Sequence, residues 1–189
     1  IGKIQIKNLL MAMIAAEKSG IAFKKIANVV HKIKRVNGRF ENIGKTKNKS
    51  LVVLDYAHSP DALKTCLDNL KDQFKNKKLC IVFGCGGERD KYKRSIMGKI
   101  ANDYCDQIFL TDDNPRKENP KKIRLEIKKK INKKKLIETS DRSYAIQKAI
   151  NMLKTGEVLL VAGKGHENIQ DYGNKKRFFS DKQNILNHI

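Results

Sequence analysis

The sequence predicts an α/β domain with a mostly parallel sheet and helices on both faces. From residue 51 onward, short apolar runs alternate with segments that have the periodicity of amphipathic helices. The runs are apolar throughout, which is typical of strands that are buried on both faces. Alternating strands and helices predict right-handed crossovers and hence a Rossmann-like, doubly covered sheet.

Residues 1–36 predict two helices that belong to a different unit. The first is apolar over most of its circumference from Asn8 to Ala16, and Ser19-Gly20 ends it. The second runs from about Ile21 to Ile33. Two such helices cannot bury both of their apolar faces in isolation. We therefore interpret residues 1–36 as the C-terminal helical edge of a preceding domain.

Residues 37–50 predict a hinge or linker. Helical periodicity stops at Asn37, and the chain then stays mostly polar as far as Ser50. Gly44-Lys45-Thr46 imitates the tail of a phosphate-binding loop. It precedes a predicted strand instead of following one, so we interpret the match as chance.

Residues 51–189 supply the elements of the predicted sheet. The strands are predicted at Leu51–Asp55, Leu79–Phe83, Ile108–Leu110 and Val158–Ala162, with a short one at Leu136-Ile137. The helices are predicted at Pro60 to about Leu70, Ser95–Tyr104, Pro120–Ile131, Ser140-Asp141 to Leu153, and from Ser180-Asp181 onward.

The formal net charge of +21 raises nucleic acid or an anionic membrane as partners. Only eight of the 41 basic residues are Arg, and the lysines are spread along every segment, as on solvated helix faces. No aromatic-rich basic strand accompanies them, so the sheet pattern of RNA-binding domains is missing. We expect no nucleic-acid partner.

The cysteine pattern predicts a cytoplasmic protein, and we also expect a monomer. The four cysteines occur singly without a CxxC pair, which argues against a disulfide framework or a metal cage. The chain has no apolar run long enough to cross a membrane and no signal peptide at Ile1, so membrane insertion is not expected.

Four predicted strands end in polar clusters, and the carboxyl ends of parallel strands share one edge of a sheet. The side chains expected to converge there are Arg89, Arg116, Asp113, Asn114, Glu167 and His58. Two guanidinium groups with carboxylates suit a zwitterionic ligand, since Arg grips a carboxylate and an acid accepts from an ammonium. An internal salt-bridge network at the edge remains the alternative. For His58, a structural hydrogen bond and a ligand contact are both open.

Four motifs together resemble the Mur ligases, and in particular the branch that adds meso-diaminopimelate. They are Asp55–Ala62, Phe83–Lys91 with Lys93-Arg94, Asp113–Arg116, and Ala162–Glu167. The resemblance covers nearly the whole chain. It implies that residues 1–36 end a central ATPase domain and that residues 51–189 are the amino-acid-binding C-terminal domain.

The resemblance also implies the site residues. Those that would hold diaminopimelate are Arg89, Asp113, Asn114, Pro115, Arg116, Gly163 and Glu167. Those that would contact the nucleotide are Asn8, Arg39, Asp55, Tyr56 and His58. It implies no catalytic residue and no metal ligand within the chain.

The reaction implied by the resemblance is ATP-dependent amide-bond formation through an acyl phosphate. Its implied partners are ATP with Mg²⁺, meso-diaminopimelate and UDP-N-acetylmuramoyl-dipeptide, the last bound mostly by other domains. Two alternatives remain: a lysine-adding or folylpolyglutamate synthase-like ligase, and a basic nucleic-acid-binding module with the same fold.

We expect this chain alone not to catalyse ligation, because it has no phosphate loop to hold ATP. The measurement is product formation from ATP, diaminopimelate and the UDP-linked dipeptide. Robust ATP-dependent ligation by the isolated polypeptide would refute this expectation.

Overall fold

The chain divides into two compact units, residues 1–36 and 37–189. The computed structural model describes residues 3–34 and 36–189, with side chains from residue 5 onward. Residues 1, 2 and 35 of the predicted ATPase-domain edge therefore lie outside the described part.

The first unit consists of helices α1 (Lys3–Lys18) and α2 (Phe23–Val30). Ile26 is buried, but most large apolar side chains of this unit are exposed, among them Leu10, Met11 and Ile14. The origin of this unit in an ATPase domain stays a prediction. Among the described residues, no helix combines the length and apolar character needed to cross a bilayer.

The second unit is built on a six-stranded sheet, which confirms the predicted fold class. Its strands are β1 (Glu41–Lys45), β2 (Leu51–Asp55), β3 (Leu79–Phe83), β4 (Gln107–Leu110), β5 (Leu136–Glu138) and β6 (Val158–Ala162). Their spatial order is β1-β2-β6-β3-β4-β5. All neighbours from β2 to β5 are parallel, and β1 pairs antiparallel with β2.

Helices cover both faces of this sheet. Alternate side chains of each strand point to opposite faces, so Val53, Ile81 and Leu160 join one core cluster while Val52 and Val82 join the other. The first cluster packs on α3 (Pro60–Gln73), α4 (Tyr92–Tyr104) and α5 (Pro120–Lys128). The second packs on α6 (Arg142–Met152) and α7 (Asp181–Leu186). Side-chain oxygens of Ser59, Asn119, Asp141 and Ser180 cap α3, α5, α6 and α7.

Where we predicted a linker over residues 37–50, the structure forms strand β1. Its register places Glu41 opposite Leu54 and Lys45 opposite Leu51. The following turn is fixed by side chains, since Asn48 Nδ2 donates to the Leu153 carbonyl at 2.6 Å. An antiparallel edge strand with a solvated face needs few apolar residues, and this explains its polar sequence.

A second, two-stranded sheet has no counterpart among the predicted elements. It pairs β7 (Ile169–Asp171) with β8 (Lys176–Phe178) in antiparallel register. Each strand has only three residues, too few to establish an alternating apolar pattern. This hairpin bears on the site described below.

A fully buried ion pair ties α6 and α7 to the carboxyl end of β6. Arg142 Nε and Nη2 donate to the two Asp181 oxygens, each at 2.7 Å, and Nη2 also donates to the Ala162 carbonyl at 2.9 Å. Both side chains are inaccessible to solvent. The pair is therefore expected to be sensitive to the loss of either partner.

Replacing Asp181 with Ala should lower the free energy of unfolding by about 3–5 kcal/mol, because it leaves the Arg142 charge buried without its counter-ion. Urea denaturation measures this change. Asp103→Ala is the control, since Asp103 pairs with Lys99 on the exposed surface of α4 and its loss should change stability little. Equal effects of the two substitutions would contradict the prediction.

Candidate functional site

The segment after β4 places an incompletely paired carboxylate at the sheet edge. Asp113 is buried, with 8% of its surface exposed. Its Oδ1 accepts from the Asn114 amide at 2.7 Å, whereas Oδ2 is buried with no hydrogen-bond partner in the part of the chain that the structure describes. A buried carboxylate oxygen without a donor is costly. It is therefore suited to a donor group supplied by a ligand.

Gly163, at the end of β6, faces this carboxylate. Its φ of +113° is a conformation that residues with a side chain rarely adopt, and a Cβ atom would lie 2.8 Å from Asp113 Oδ2. Glycine therefore leaves room beside the unpaired oxygen. The predicted site residues Asp113 and Gly163 lie together.

Asp112 serves a different purpose from its neighbour. Its carboxylate forms a buried ion pair with Arg124 of α5 and accepts from the Tyr172 hydroxyl at 3.2 Å. Arg124 also pairs with Glu138 at 3.0 Å. Of the two consecutive acids, one is thus fully committed to internal contacts and the other, Asp113, is not.

Glu167 and Asn114 are joined through the ammonium of Lys164. Lys164 Nζ donates to Asn114 Oδ1 at 2.9 Å, to Glu167 Oε2 at 3.0 Å and to the Ile169 carbonyl at 2.6 Å. Asn114 Nδ2 donates to the same Glu167 oxygen at 2.9 Å, and the Tyr56 hydroxyl donates to Oε1 at 3.2 Å. Three strand-end segments therefore meet at one carboxylate.

Two opposing effects act on the pKa of Glu167. Burial raises it by desolvating the charged form, whereas Lys164, Asn114 and Tyr56 stabilise that form. The stabilising contacts prevail, and the pKa lies below the ordinary value of 4.5. Glu167 is therefore a carboxylate at neutral pH.

Arg116 and Arg89 both lie close to Gly86. A Cβ atom at position 86 would lie 2.9 Å from Arg116 Nη1 and 3.9 Å from Arg89 Cγ. Arg116 Nη1 donates to the Gly87 carbonyl at 2.8 Å. Within the described part of the chain, neither guanidinium has a carboxylate partner. Both keep donors for an anionic group, in contrast to the predicted alternative of an internal salt-bridge network.

Pro115 and Arg116 form a turn that directly contacts residues 84–87 after β3, which we call the glycine loop. A Cβ atom on Gly87 would lie 1.9 Å from the Pro115 carbonyl oxygen, so only glycine permits this approach. Arg116 itself has a positive φ of 52°, and its amide donates to the Asp171 carbonyl at 2.9 Å. Backbone contacts on both sides thus hold the turn in place.

Three residues that we did not predict as site residues hold this turn and the loop beside it. Gln170 of β7 is fully buried, and its Nε2 donates to the Asp113 carbonyl at 2.9 Å. Arg177 of β8 donates to Gln170 Oε1 through two nitrogens, at 2.7 and 3.0 Å. The buried Arg94 of α4 donates to Glu118 at 3.0 Å and to the Gly86 carbonyl at 3.3 Å.

Arg94 and Lys164 were not predicted as site residues, although both lie in the motifs quoted above. Lys164 carried a further sequence signal. It directly follows an apolar strand, lies between two glycines and precedes Glu167 by three residues. A lysine in such a position is expected to be buried and therefore paired. Gln170 and Arg177 are in short polar strands that offered no comparable pattern.

Three of the predicted nucleotide contacts, Arg39, Tyr56 and His58, form a cluster with His166 around the Tyr56 ring. The Arg39 guanidinium lies 4.6 Å from the centre of the Tyr56 ring, and the His58 ring lies 4.6 Å from it on an edge. His166, which we did not predict, is 5.2 Å from the same ring. His58 Nδ1 donates to the Tyr56 carbonyl at 2.8 Å, so a structural hydrogen bond is present.

The remaining predicted nucleotide contacts lie in two places. Asp55 accepts from the Phe40 amide at 2.6 Å and from the Ala57 amide at 2.7 Å, and it thereby fastens the chain before β1 to the end of β2. Asn8 is an exposed residue of α1, in the first unit. The roles of Asp55 and Asn8 in nucleotide binding stay predictions.

Comparison with known proteins identifies several relatives. Residues 38–165 match the family described as "Mur ligase, glutamate ligase domain". The UDP-N-acetylmuramoyl-L-alanyl-D-glutamate–2,6-diaminopimelate ligase of Rickettsia felis is 46% identical over 184 residues, which is 97% of this chain and 34% of that protein. The protein of the same name from Rhizobium meliloti is 44% identical, again over 97% of this chain and 37% of its own.

Solved structures include similar folds. A structure of a UDP-N-acetylmuramoyl-L-alanyl-D-glutamate–2,6-diaminopimelate ligase superposes with a TM-score of 0.76 at 37% identity, over all of this chain and 39% of that one. The Mycobacterium tuberculosis folylpolyglutamate synthase superposes with a TM-score of 0.69 at 16% identity, covering 86% of this chain and 38% of that one. The latter likeness concerns the fold alone. This chain spans a little over a third of the length of these relatives.

Glu167 should stabilise the fold in a pH-dependent way. Because its pKa is depressed in the folded chain, the stabilisation is fully present above the ordinary value of 4.5 and is lost as the pH falls through the lower, folded-state value. We expect the wild-type chain to be more stable than Glu167→Gln at pH 7, and the difference to shrink progressively below pH 4.5. Urea denaturation of both chains across this range measures it, and a difference that grows on acidification would contradict the sign.

Proposed function

The chain belongs to the Mur ligase family, and on that premise we propose that it is the C-terminal part of a ligase that adds meso-diaminopimelate to UDP-N-acetylmuramoyl-L-alanyl-D-glutamate. The observation that carries the proposal is that the incompletely bonded Asp113 carboxylate shares one sheet edge with Arg89 and Arg116, two guanidinium groups without a carboxylate partner in the described part of the chain. The proposal is supported by relatives at 42–47% identity that are named UDP-N-acetylmuramoyl-L-alanyl-D-glutamate–2,6-diaminopimelate ligase.

In this proposal the edge binds the end of diaminopimelate that does not react. That end carries an ammonium and a carboxylate. The ammonium donates to Asp113 Oδ2 and to Glu167, and Gly163 leaves space for it. The carboxylate is held by Arg116 and Arg89 through charge-assisted hydrogen bonds, while Asn114 and Pro115 shape the turn between the two charges.

The same arrangement favours diaminopimelate over lysine. The far end of lysine has an ammonium but no carboxylate, so it would leave both guanidinium groups without a counter-ion. Arg116 keeps its geometry through carbonyl contacts alone, which leaves its remaining donors available. A site built to pair a ligand carboxylate discriminates against an analogue that lacks it.

The reactive end of the amino acid would be delivered to a D-glutamate γ-carboxyl activated by ATP. Tyr56 contacts Glu167, and Arg39 and His58 contact the Tyr56 ring. These three residues would form one edge of the nucleotide site, with Asp55 holding the adjacent amides of Phe40 and Ala57. Asn8 would contact the adenine. The described residues contain no cluster of three or more potential metal ligands, and we assign Mg²⁺ to the part of the ligase that holds the phosphates. Since ATP is a cytoplasmic metabolite, we place the ligase in the cytoplasm.

Arg116→Lys in the complete ligase should raise KM for diaminopimelate at least about tenfold while changing KM for ATP less than about twofold, because it removes a bidentate carboxylate grip. Steady-state kinetics with each substrate varied in turn measures both constants.

The matched control for Arg116→Lys is Lys117→Ala, which removes an exposed cation from the next residue and should leave both constants unchanged. An unchanged KM for diaminopimelate in Arg116→Lys would overturn the assignment of Arg116. A wild-type ligase that used lysine as well as diaminopimelate would overturn the proposed substrate.

A further inference from the structure

Lys164 is a buried cation at the site edge that does not contact the ligand in the proposed binding mode. Its side chain is fully buried, and its three donors are matched by three acceptors on three segments: Asn114, Glu167 and Ile169. An ammonium has three hydrogens and no acceptor, so no donor remains for a ligand. Lys164 therefore acts only through the groups that it binds.

The contacts of Lys164 decide which way the Asn114 amide points. Asn114 Oδ1 accepts from Lys164 Nζ at 2.9 Å and from the Asp171 amide at 3.0 Å. Two donors at this position exclude the flipped amide, which would direct NH₂ at both of them. Asn114 Nδ2 must therefore face Glu167, to which it donates at 2.9 Å.

The same ammonium determines the state of Glu167. Lys164 Nζ and Asn114 Nδ2 both donate to Glu167 Oε2, whereas the Tyr56 hydroxyl is the donor to Oε1 among the described residues. A protonated Glu167 would forfeit these charge-assisted bonds. Lys164 thus helps to keep the carboxylate ionised, and Oε1 retains capacity to accept a further hydrogen bond.

We propose that Lys164 is a positioning residue, which orients Asn114 and keeps Glu167 an ionised acceptor for the ammonium of the incoming amino acid. The proposal rests on the proposed function, since it names the group that Glu167 serves. The other titratable or charged groups that interact with Glu167 are Tyr56, through its hydroxyl, and the buried Arg142; Asp113 interacts electrostatically with both of these groups. Among the cations of the described residues, Lys164 is the one that hydrogen-bonds to both Asn114 and Glu167.

Lys164→Met in the complete ligase tests this role, because Met matches the length of the stem and removes the charge. We expect KM for diaminopimelate to rise about 10-fold to 100-fold, as for loss of a hydrogen bond to a charged group, and KM for ATP to change less than about twofold. The acidic limb of the pH profile of kcat/KM for diaminopimelate should move to higher pH, because Glu167 then loses its stabilising cation. Lys129→Met, which removes an exposed lysine after α5, is the control and should change neither constant.

The double variant Lys164→Met/Glu167→Gln separates positioning from general damage. A neutral Gln does not need the ammonium. The kcat/KM of the double variant should therefore be at least about tenfold higher than the value expected if the losses in the two single variants were independent and multiplied. A merely structural role predicts a uniform loss at all pH values, with no shift of the acidic limb. If Lys164→Met does not fold, Lys164→Gln, which retains a donor without charge, is measured in the same way.

The outcomes distinguish the two proposals. A wild-type ligase that does not add diaminopimelate overturns the proposed function. An active wild-type ligase whose Lys164 variants retain the wild-type KM and pH profile overturns the role of Lys164 alone. A raised KM with a shifted acidic limb supports both.

Discussion

The buried Lys164 ammonium is the interaction on which the geometry of the site edge depends. Burial of an unpaired charge is prohibitively costly, so its three hydrogens must all find acceptors. Those acceptors belong to the segments after β4 and β6 and to β7, and satisfying them draws the three segments together. This one cation contributes to the orientation of Asn114, to the ionisation of Glu167 and to the position of the β7–β8 hairpin.

Close backbone approach is the second constraint at this edge. Gly84 and Gly87 lie so near the segment after β4 that a Cβ atom would be 2.2 Å from the Thr111 carbonyl oxygen and 1.9 Å from that of Pro115. The glycine loop can therefore lie against the turn. This brings Arg89, which follows the loop, close to Arg116 of the turn. Among the buried side-chain oxygens of the described residues, Asp113 Oδ2 alone lacks a donor. This unpaired acceptor is why we interpret the edge as a binding site and not as a closed salt-bridge network.

The strands and the edge were predictable because their physical causes are local. Fully buried strands such as Leu79–Phe83 and Val158–Ala162 must be apolar throughout, and polar residues at their carboxyl ends identify the edge at which they converge. β1 and the β7–β8 hairpin escaped prediction, because edge strands and three-residue strands have one exposed face and carry no apolar run. Gln170 and Arg177 brace Asp113 through contacts that depend on how a later hairpin folds back, which no short-range pattern encodes.

A crystal structure of the complete ligase with bound meso-diaminopimelate tests the central claim most directly. The account predicts the non-reacting ammonium within about 3 Å of Asp113 Oδ2, as for an ordinary hydrogen bond, with the neighbouring carboxylate on the Arg116 guanidinium and Lys164 still bound to Glu167. A structure in which the amino acid lies away from this edge, with Asp113 Oδ2 still lacking a donor, would contradict it.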